Sequence, residues 1–279
     1  MLLYLLLLMI LGFTLFLRVE NFEEKKKGIL VLYGESFRSG NMGSRTRDCD
    51  ECVETQKLAS QSHQEFIQFI EKKNITMDVL IDTYDTKYEE ELKGYYNNPT
   101  YYSHPELLGW DKISQDAVNK IDKNKYDFIV MTRLDIFIKP DFYTVFNPSW
   151  KKIMFLSPQE AVFDQFMVCG FSNTEKDNKG IYYPQVNPTI MFFPQNYFYT
   201  LQHINTGHYA WKHYMDTYHL HEKDMSFMVD YQFNTNSANM KNPYYKMVGR
   251  DESTTLMNKN ATIKQPLIGR EVPNCYING

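Results

Sequence analysis

Lys125 to Phe142 reads KYDFIVMTRLDIFIKPDF. Phe128, Ile129, Val130 and Met131 are apolar without a break, the pattern of a central strand covered on both faces. The run ends in Thr132-Arg133-Leu134-Asp135. Side chains alternate along a strand, so Arg133 and Asp135 face the same way while Leu134 turns into the body. Open α/β sheets take their ligands at the carboxyl ends of strands, which makes this pair a seat for an anionic, metal-bound ligand. An ion pair at the rim of the fold is the plainer reading of an isolated RxD, and the surroundings have to decide between the two.

Upstream, Gly28 to Tyr33 (GILVLY) reads as the first buried strand and runs into Gly34-Glu35-Ser36-Phe37-Arg38-Ser39-Gly40. Gly34 permits a tight exit, and Ser36, Arg38 and the loop amides offer a cradle for phosphates, enlarged by Arg45 and Arg47. Gly34, Gly40 and Gly43 do not have the spacing of either standard glycine-rich nucleotide fingerprint. The pattern then predicts a helix over Glu54 to Lys73, a strand over Met77 to Tyr84 and a helix over Trp110 to Ile121, whose Ile113, Ala117 and Ile121 recur every four residues. Strand, helix, strand, helix, strand is half of a doubly wound α/β sheet. Further strands are expected at Lys152 to Leu156 and Ile190 to Phe193, and helical segments at Gln195 to about Tyr218 and at Lys223 to Tyr231.

Composition limits the function classes. With 43% hydrophobic and 15% aromatic residues among 279, the chain can fill a substantial core and is not a disordered segment. Thirty Lys+Arg against 34 Asp+Glu leave a formal charge of -4, which argues against general attraction to a nucleic-acid backbone. Leu2 to Leu17 is uncharged, about 24 Å long as a helix, and followed by Arg18 and a mixed charged segment. It is expected to be an uncleaved transmembrane anchor, because a cleavable leader would carry a basic n-region and a small-x-small site. The expected layout is an anchor over 1–18, a charged stalk over 19–27 and one catalytic domain over 28–279. Lys25, Lys26 and Lys27 after the span favour a cytosolic domain, whereas the sequons at Asn74 and Asn260 permit a lumenal one, as in the ER or Golgi or a viral-host membrane. Cys49 and Cys52 form one CxxC without the nearby second pair of a zinc ribbon, and Cys169 and Cys275 lie far away, so a short-range or a long-range disulfide is the better reading in an oxidising compartment.

An Asp at a strand terminus can hold a divalent ion, and a nearby Arg can balance a diphosphate carried on it, stabilising a departing nucleoside diphosphate. Leu32-Tyr33-Gly34-Glu35-Ser36-Phe37-Arg38 together with Thr132-Arg133-Leu134-Asp135 resembles glycosyltransferases of the GT-A type, in particular viral, algal and bacterial relatives with a GESFR-like loop and an RxD or DxD-like motif. The resemblance spans roughly Gly28 to Arg250. It implies a Rossmann-related mixed sheet flanked by helices, a nucleotide-sugar donor, a carbohydrate or glycoconjugate acceptor and a divalent cation, Mn2+ or Mg2+. GT-A enzymes commonly place two acids around the metal, and this chain has Arg133 at one of those positions. Asp135 is then either a lone metal ligand or a partner that orients the arginine.

Asp164, in Phe163-Asp164-Gln165-Phe166, is the expected base on the acceptor side, with Glu222 its rival. His221, two residues after His219, is a second metal candidate, and Asp82, Lys246 and Arg250 are further donor contacts beside Gly34, Ser36, Arg38 and Arg133. Tyr95, Tyr96, Tyr101 and Tyr102 offer flat sugar platforms if they are not simply loop packing. The alternative to sugar transfer is a carbohydrate-binding or scaffold protein that keeps the fold without turnover.

Overall fold

In the computed structural model, which describes residues 25–39, 46–160, 186–207, 209–229, 233–234 and 244–248, the stretch Phe128–Arg133 is a fully buried strand, β6. It pairs in parallel with β1 (Lys26–Tyr33) and antiparallel with β9 (Val186–Pro194). The remaining strands of this sheet are β4 (Ile75–Tyr84), β5 (Thr100–His104), β8 (Ile153–Glu160) and β10 (Met225–Phe227), in the order β10-β8-β9-β6-β1-β4-β5, with β11 (Phe233–Asn234) on β8. β1, β4, β5 and β6 run parallel, and β9 alone opposes its two neighbours. The result is a Rossmann-related mixed sheet flanked by helices, as expected.

The sheet sorts its side chains by parity. Leu30, Leu32, Val79, Ile81, Phe128 and Val130 face one core, whereas Ile29, Val31, Leu80, Ile129 and Met131 face the other. α1 (Asp50–Glu71) covers the first face with Phe66, Ile67 and Ile70, and α3 (Trp110–Asn119) covers the second with Ile113, Ala117 and Val118; a short helix, α2 (Glu89–Gly94), precedes β5. Burial of both faces is the reason the strands read as unbroken apolar runs. Gly28 meets a separate demand, because a Cβ there would lie 2.1 Å from the Phe128 ring.

α1 begins four residues before the expected Glu54, since Cys49 caps it and Asp50 and Glu51 fill the first turn, where acidic groups complement the helix dipole. The expected helix at Gln195 to Tyr218 is divided into a 3-10 segment, Gln195–His203, and a helix, Ala210–Tyr218. Lys223 to Tyr231 is not helical where it is described: a 3-10 turn, Glu222–Asp224, passes directly into β10. Met225 is buried there as a strand residue against β8, which outweighs the weak helical periodicity. β5 was not expected, and it takes up part of the tyrosine-rich region: Lys93 covers Tyr101, Lys120 covers Tyr102, and Tyr96 is buried.

The membrane expectation is corrected. Among the described residues no helix is long and apolar enough to cross a membrane; the longest, α1, carries Glu54, Lys57 and Glu65 along its length. Leu2 to Leu17 lies outside the described residues. The transmembrane anchor, the membrane as a partner and the single-pass location are therefore not carried further.

Beneath α1 runs a buried polar chain. Tyr96 donates its hydroxyl to Ser60 Oγ at 3.1 Å, and His63 Nδ1 lies 2.8 Å from the same hydroxyl. Burial pushes His63 from its ordinary 6.5 down to about 4. Between those values the unfolded chain binds a proton that the folded chain refuses, so stability is full above the unfolded value and falls as pH is lowered through the window. The full interval corresponds to roughly 3 kcal/mol. His63→Asn is expected to flatten this part of the profile, measured as urea midpoints at pH 7 and pH 4.5. Equal pH sensitivity in both proteins would remove His63 as its source.

Candidate functional site

β1 and β6 end together beside β4, and their register aligns Arg133, Tyr33 and Asp82 in one row across the carboxyl edge, continued by Tyr102 on β5. Gly34 follows at once with φ +100, a conformation that costs glycine nothing, and its amide donates to Asp82 O at 3.1 Å. The chain thereby turns off the sheet and returns as β2 (Arg38–Ser39), paired with β3 (Thr46–Arg47). The turn brings Arg38 back over the end of β6.

Arg133 and Asp135 do face the same way, and they pair directly. Arg38 Nη2 reaches the same Asp135 Oδ2 at 2.9 Å, while its Nη1 donates to Glu35 Oε2 at 2.5 Å, and Glu35 also pairs with Arg47. Three guanidiniums thus face two carboxylates, which leaves one positive charge in surplus among these five groups. Asp135 is only 2% exposed and Arg133 7%. Burial lowers the pKa of Arg133, an effect that Asp135 opposes and Arg38 reinforces. Arg38 Nε and Asp135 Oδ1 are buried without a hydrogen-bond partner, so the network has polar capacity to spare.

A cleft of about 220 Å³ opens beside this network, lined by Gly34, Arg38, Tyr84, Leu107, Trp110 and Arg133 among others. The Arg133 guanidinium lies 3.9 Å from the centre of the Trp110 ring, which is 46% exposed. Leu107 beside it is also exposed, giving the cleft an apolar lip. A larger cavity of about 410 Å³ lies at the opposite, amino edge of the sheet. Its lysines, Lys26 and Lys73, rest on Trp150 and Phe69, and the other described residues that line it are uncharged.

Gln56 on α1 joins the two loops. Its Oε1 accepts from the Phe37 amide at 3.2 Å and its Nε2 donates to Leu134 O at 3.1 Å. Each partner is the chain neighbour of a site arginine. Gln56→Leu would leave both backbone groups buried and unpaired and is expected to cost about 2–4 kcal/mol, read as a lower denaturant midpoint. A change below about 0.5 kcal/mol, the scale of an ordinary surface substitution, would contradict the bridging role.

Two strands from Arg133 stands a second polar group. Asp82, His104 and Asp116 bring three ligand atoms within 4.8 Å of one another and form a candidate divalent-cation site. The donor set, two carboxylates and an imidazole, suits such an ion, and Asp82 Oδ2 is buried without a partner. Burial raises the Asp82 pKa against the opposing pull of Lys120 and His104. Lys120 pairs with both carboxylates, at 3.1 Å to Asp82, so its ammonium already occupies the seat that a cation would take. Strand spacing puts Asp82 about 10 Å from Arg133, backbone to backbone.

The other expected residues separate into four groups. Ser36 is beside the cleft loop but is held by Thr83, whose hydroxyl lies 3.1 Å away. Lys246 sits on β12 (Tyr245–Met247), which pairs with β7 (Ile136–Ile138) beyond the RxD; it covers the Phe137 ring, while its neighbour Met247 approaches Arg133 Nη1 at 4.0 Å. His221 and Glu222 precede β10, whose start aligns with the start of β8, so they lie at the amino edge, away from the arginines. Asp164 and Arg250 lie outside the described residues. Asp116, His104, Lys120, Gln56 and Trp110 were not foreseen. Their roles depend on contacts between distant segments, and the sequence carried only the four-residue rhythm of α3 as a hint that Asp116 and Lys120 share a helix face.

No protein-family model and no curated protein matches the chain. Among solved structures, it is similar to the catalytic domain of Drosophila β1,4-galactosyltransferase 7 in complex with xylobiose, at 11% identity over 80% of this chain and 70% of that one, with a TM-score of 0.39. It is similar to a glycosyltransferase involved in glycosylation of the major capsid of PBCV-1, at 7% identity over 76% and 83%, with a TM-score of 0.34. It is also similar to a 4-diphosphocytidyl-2C-methyl-D-erythritol synthase from Anaerococcus prevotii, at 10% identity over 72% and 89%, with a TM-score of 0.40. These likenesses concern the fold and leave the reaction to be argued from the site.

Proposed function

We propose that the protein is a nucleotide-sugar-dependent glycosyltransferase in which Arg133 and Arg38 receive the diphosphate of the donor and a carbohydrate or glycoconjugate is the acceptor. The observation that carries this reading is the pair of buried arginines converging on one carboxylate at the carboxyl edge of the sheet, open to the Trp110 cleft. As the bond to the transferred sugar breaks, negative charge grows on the departing diphosphate, and fixed guanidiniums in a poorly hydrated site stabilise it without reorganisation. In this reading Asp135 orients both arginines through Oδ2. The Gly34 loop supplies backbone close to the phosphates. Trp110 and Leu107 move outward as the donor enters, because about 220 Å³ is below the range of roughly 300–1,000 Å³ usual for small-molecule sites.

A divalent cation, Mn2+ or Mg2+, would be held by Asp82, His104 and Asp116 once Lys120 is displaced, and when bound it supplies positive charge to the donor half of the site. Asp164 remains the proposed base. The second reading, carbohydrate binding without turnover, is favoured by one feature: Lys120 bonds two of the three candidate ligands.

The two readings separate in a donor screen. A panel of nucleotide sugars, with and without manganese, is expected to yield free nucleoside diphosphate from at least one donor when glycan acceptors are present. Glycan retention with no donor consumed across the panel would instead establish the binding protein.

A further inference from the structure

We propose that Cys49 and Cys52 form a reversible thiol–disulfide exchange centre, separate from the arginine cleft and served by low-molecular-weight thiols. The two are joined in a disulfide across a sequence separation of 3. So short a ring removes little freedom from the unfolded chain, so the bond is poorly suited to serve as a staple. Its placement suits exchange better. Cys49 caps α1 and Cys52 stands three residues into the first turn, with the Cys52 amide donating to Cys49 Sγ at 3.2 Å. Ser39 Oγ lies 3.7 Å from the same sulfur. A sulfur that accepts hydrogen bonds from an amide and a hydroxyl is stabilised as a thiolate, the reactive form. Exposure divides the pair: Cys49 is partly open, whereas Cys52 is fully buried.

Reduction begins when an external thiolate attacks Cys49 Sγ, the accessible sulfur. The disulfide breaks, Cys52 leaves as a thiolate and takes a proton from water, and the reductant remains attached to Cys49. A second thiol attacks the reductant sulfur and releases Cys49. The sum is two electrons and two protons gained by the protein and two thiols oxidised to one disulfide.

The test uses the full chain equilibrated without oxygen in graded mixtures of reduced and oxidised glutathione, quenched with acid, alkylated and read peptide by peptide. Peptide-level reading keeps Cys169 and Cys275 apart. The disulfide fraction is expected to rise continuously with oxidised glutathione and to fall again on return. After full reduction, Cys49 is expected to be alkylated about ten-fold faster than Cys52. Cys52→Ser is expected to accumulate a glutathione adduct at Cys49, and Cys49→Ser none at Cys52. A pair fixed in one state throughout the series, equal alkylation rates, or equal adduct formation in the two variants would overturn the proposal.

Discussion

Asp135→Asn is expected to destabilise the chain by about 3–5 kcal/mol, the usual consequence of removing one partner from a buried ion pair. The substitution keeps the shape and deletes the charge, leaving Arg38 and Arg133 side by side beneath the surface with no carboxylate between them. For a chain of this size that corresponds to a fall in Tm of roughly 10 °C. Pyrophosphate should restore more of the lost Tm in the variant than it adds to the wild type, because the anion then supplies the missing counter-charge. Thermal unfolding with and without pyrophosphate checks both parts. A variant that melts with the wild type, or an anion that helps both equally, would show that Asp135 does not hold the arginines in place.

Arg133→Met is the complementary change. Methionine fills similar space against Trp110 and leaves Asp135 paired with Arg38, so the fold is expected to persist. Nucleoside diphosphate affinity is expected to fall about 100-fold, the scale of losing charge-assisted hydrogen bonds in a poorly hydrated site. Binding of a glycan acceptor should be unchanged. Calorimetric titration of the two ligands separately reads this difference, and equal losses for both would place Arg133 in general folding and not in diphosphate recognition.

The sheet centre was legible because the middles of β1, β4 and β6 are buried on both faces, which writes the short apolar runs ILVL, VLI and FIVM into the sequence. Alternation led to the expectation that Arg133 and Asp135 share a side; β6 ends at Arg133, and Asp135 reaches it from the turn that leads into β7. Edges were harder. β5 reads TYYSH, every residue but the first half-buried, and its polar pattern looks like a loop. The site was legible only in part for a related reason. Gln56 and Leu134 are separated by 78 residues and His104 and Asp82 by 22, and no local pattern announces which side chains the topology will bring together. His221 and Glu222 illustrate the converse: their chemistry fitted, but β10 starts at the amino edge.

The most direct measurement is a crystal structure with a nucleoside diphosphate bound. The account predicts diphosphate oxygens within hydrogen-bond distance of both Arg133 and Arg38, with Trp110 swung outward from its stack on Arg133. A nucleotide seated elsewhere, such as the cavity beside Trp150, with both arginines still turned wholly onto Asp135, would contradict it.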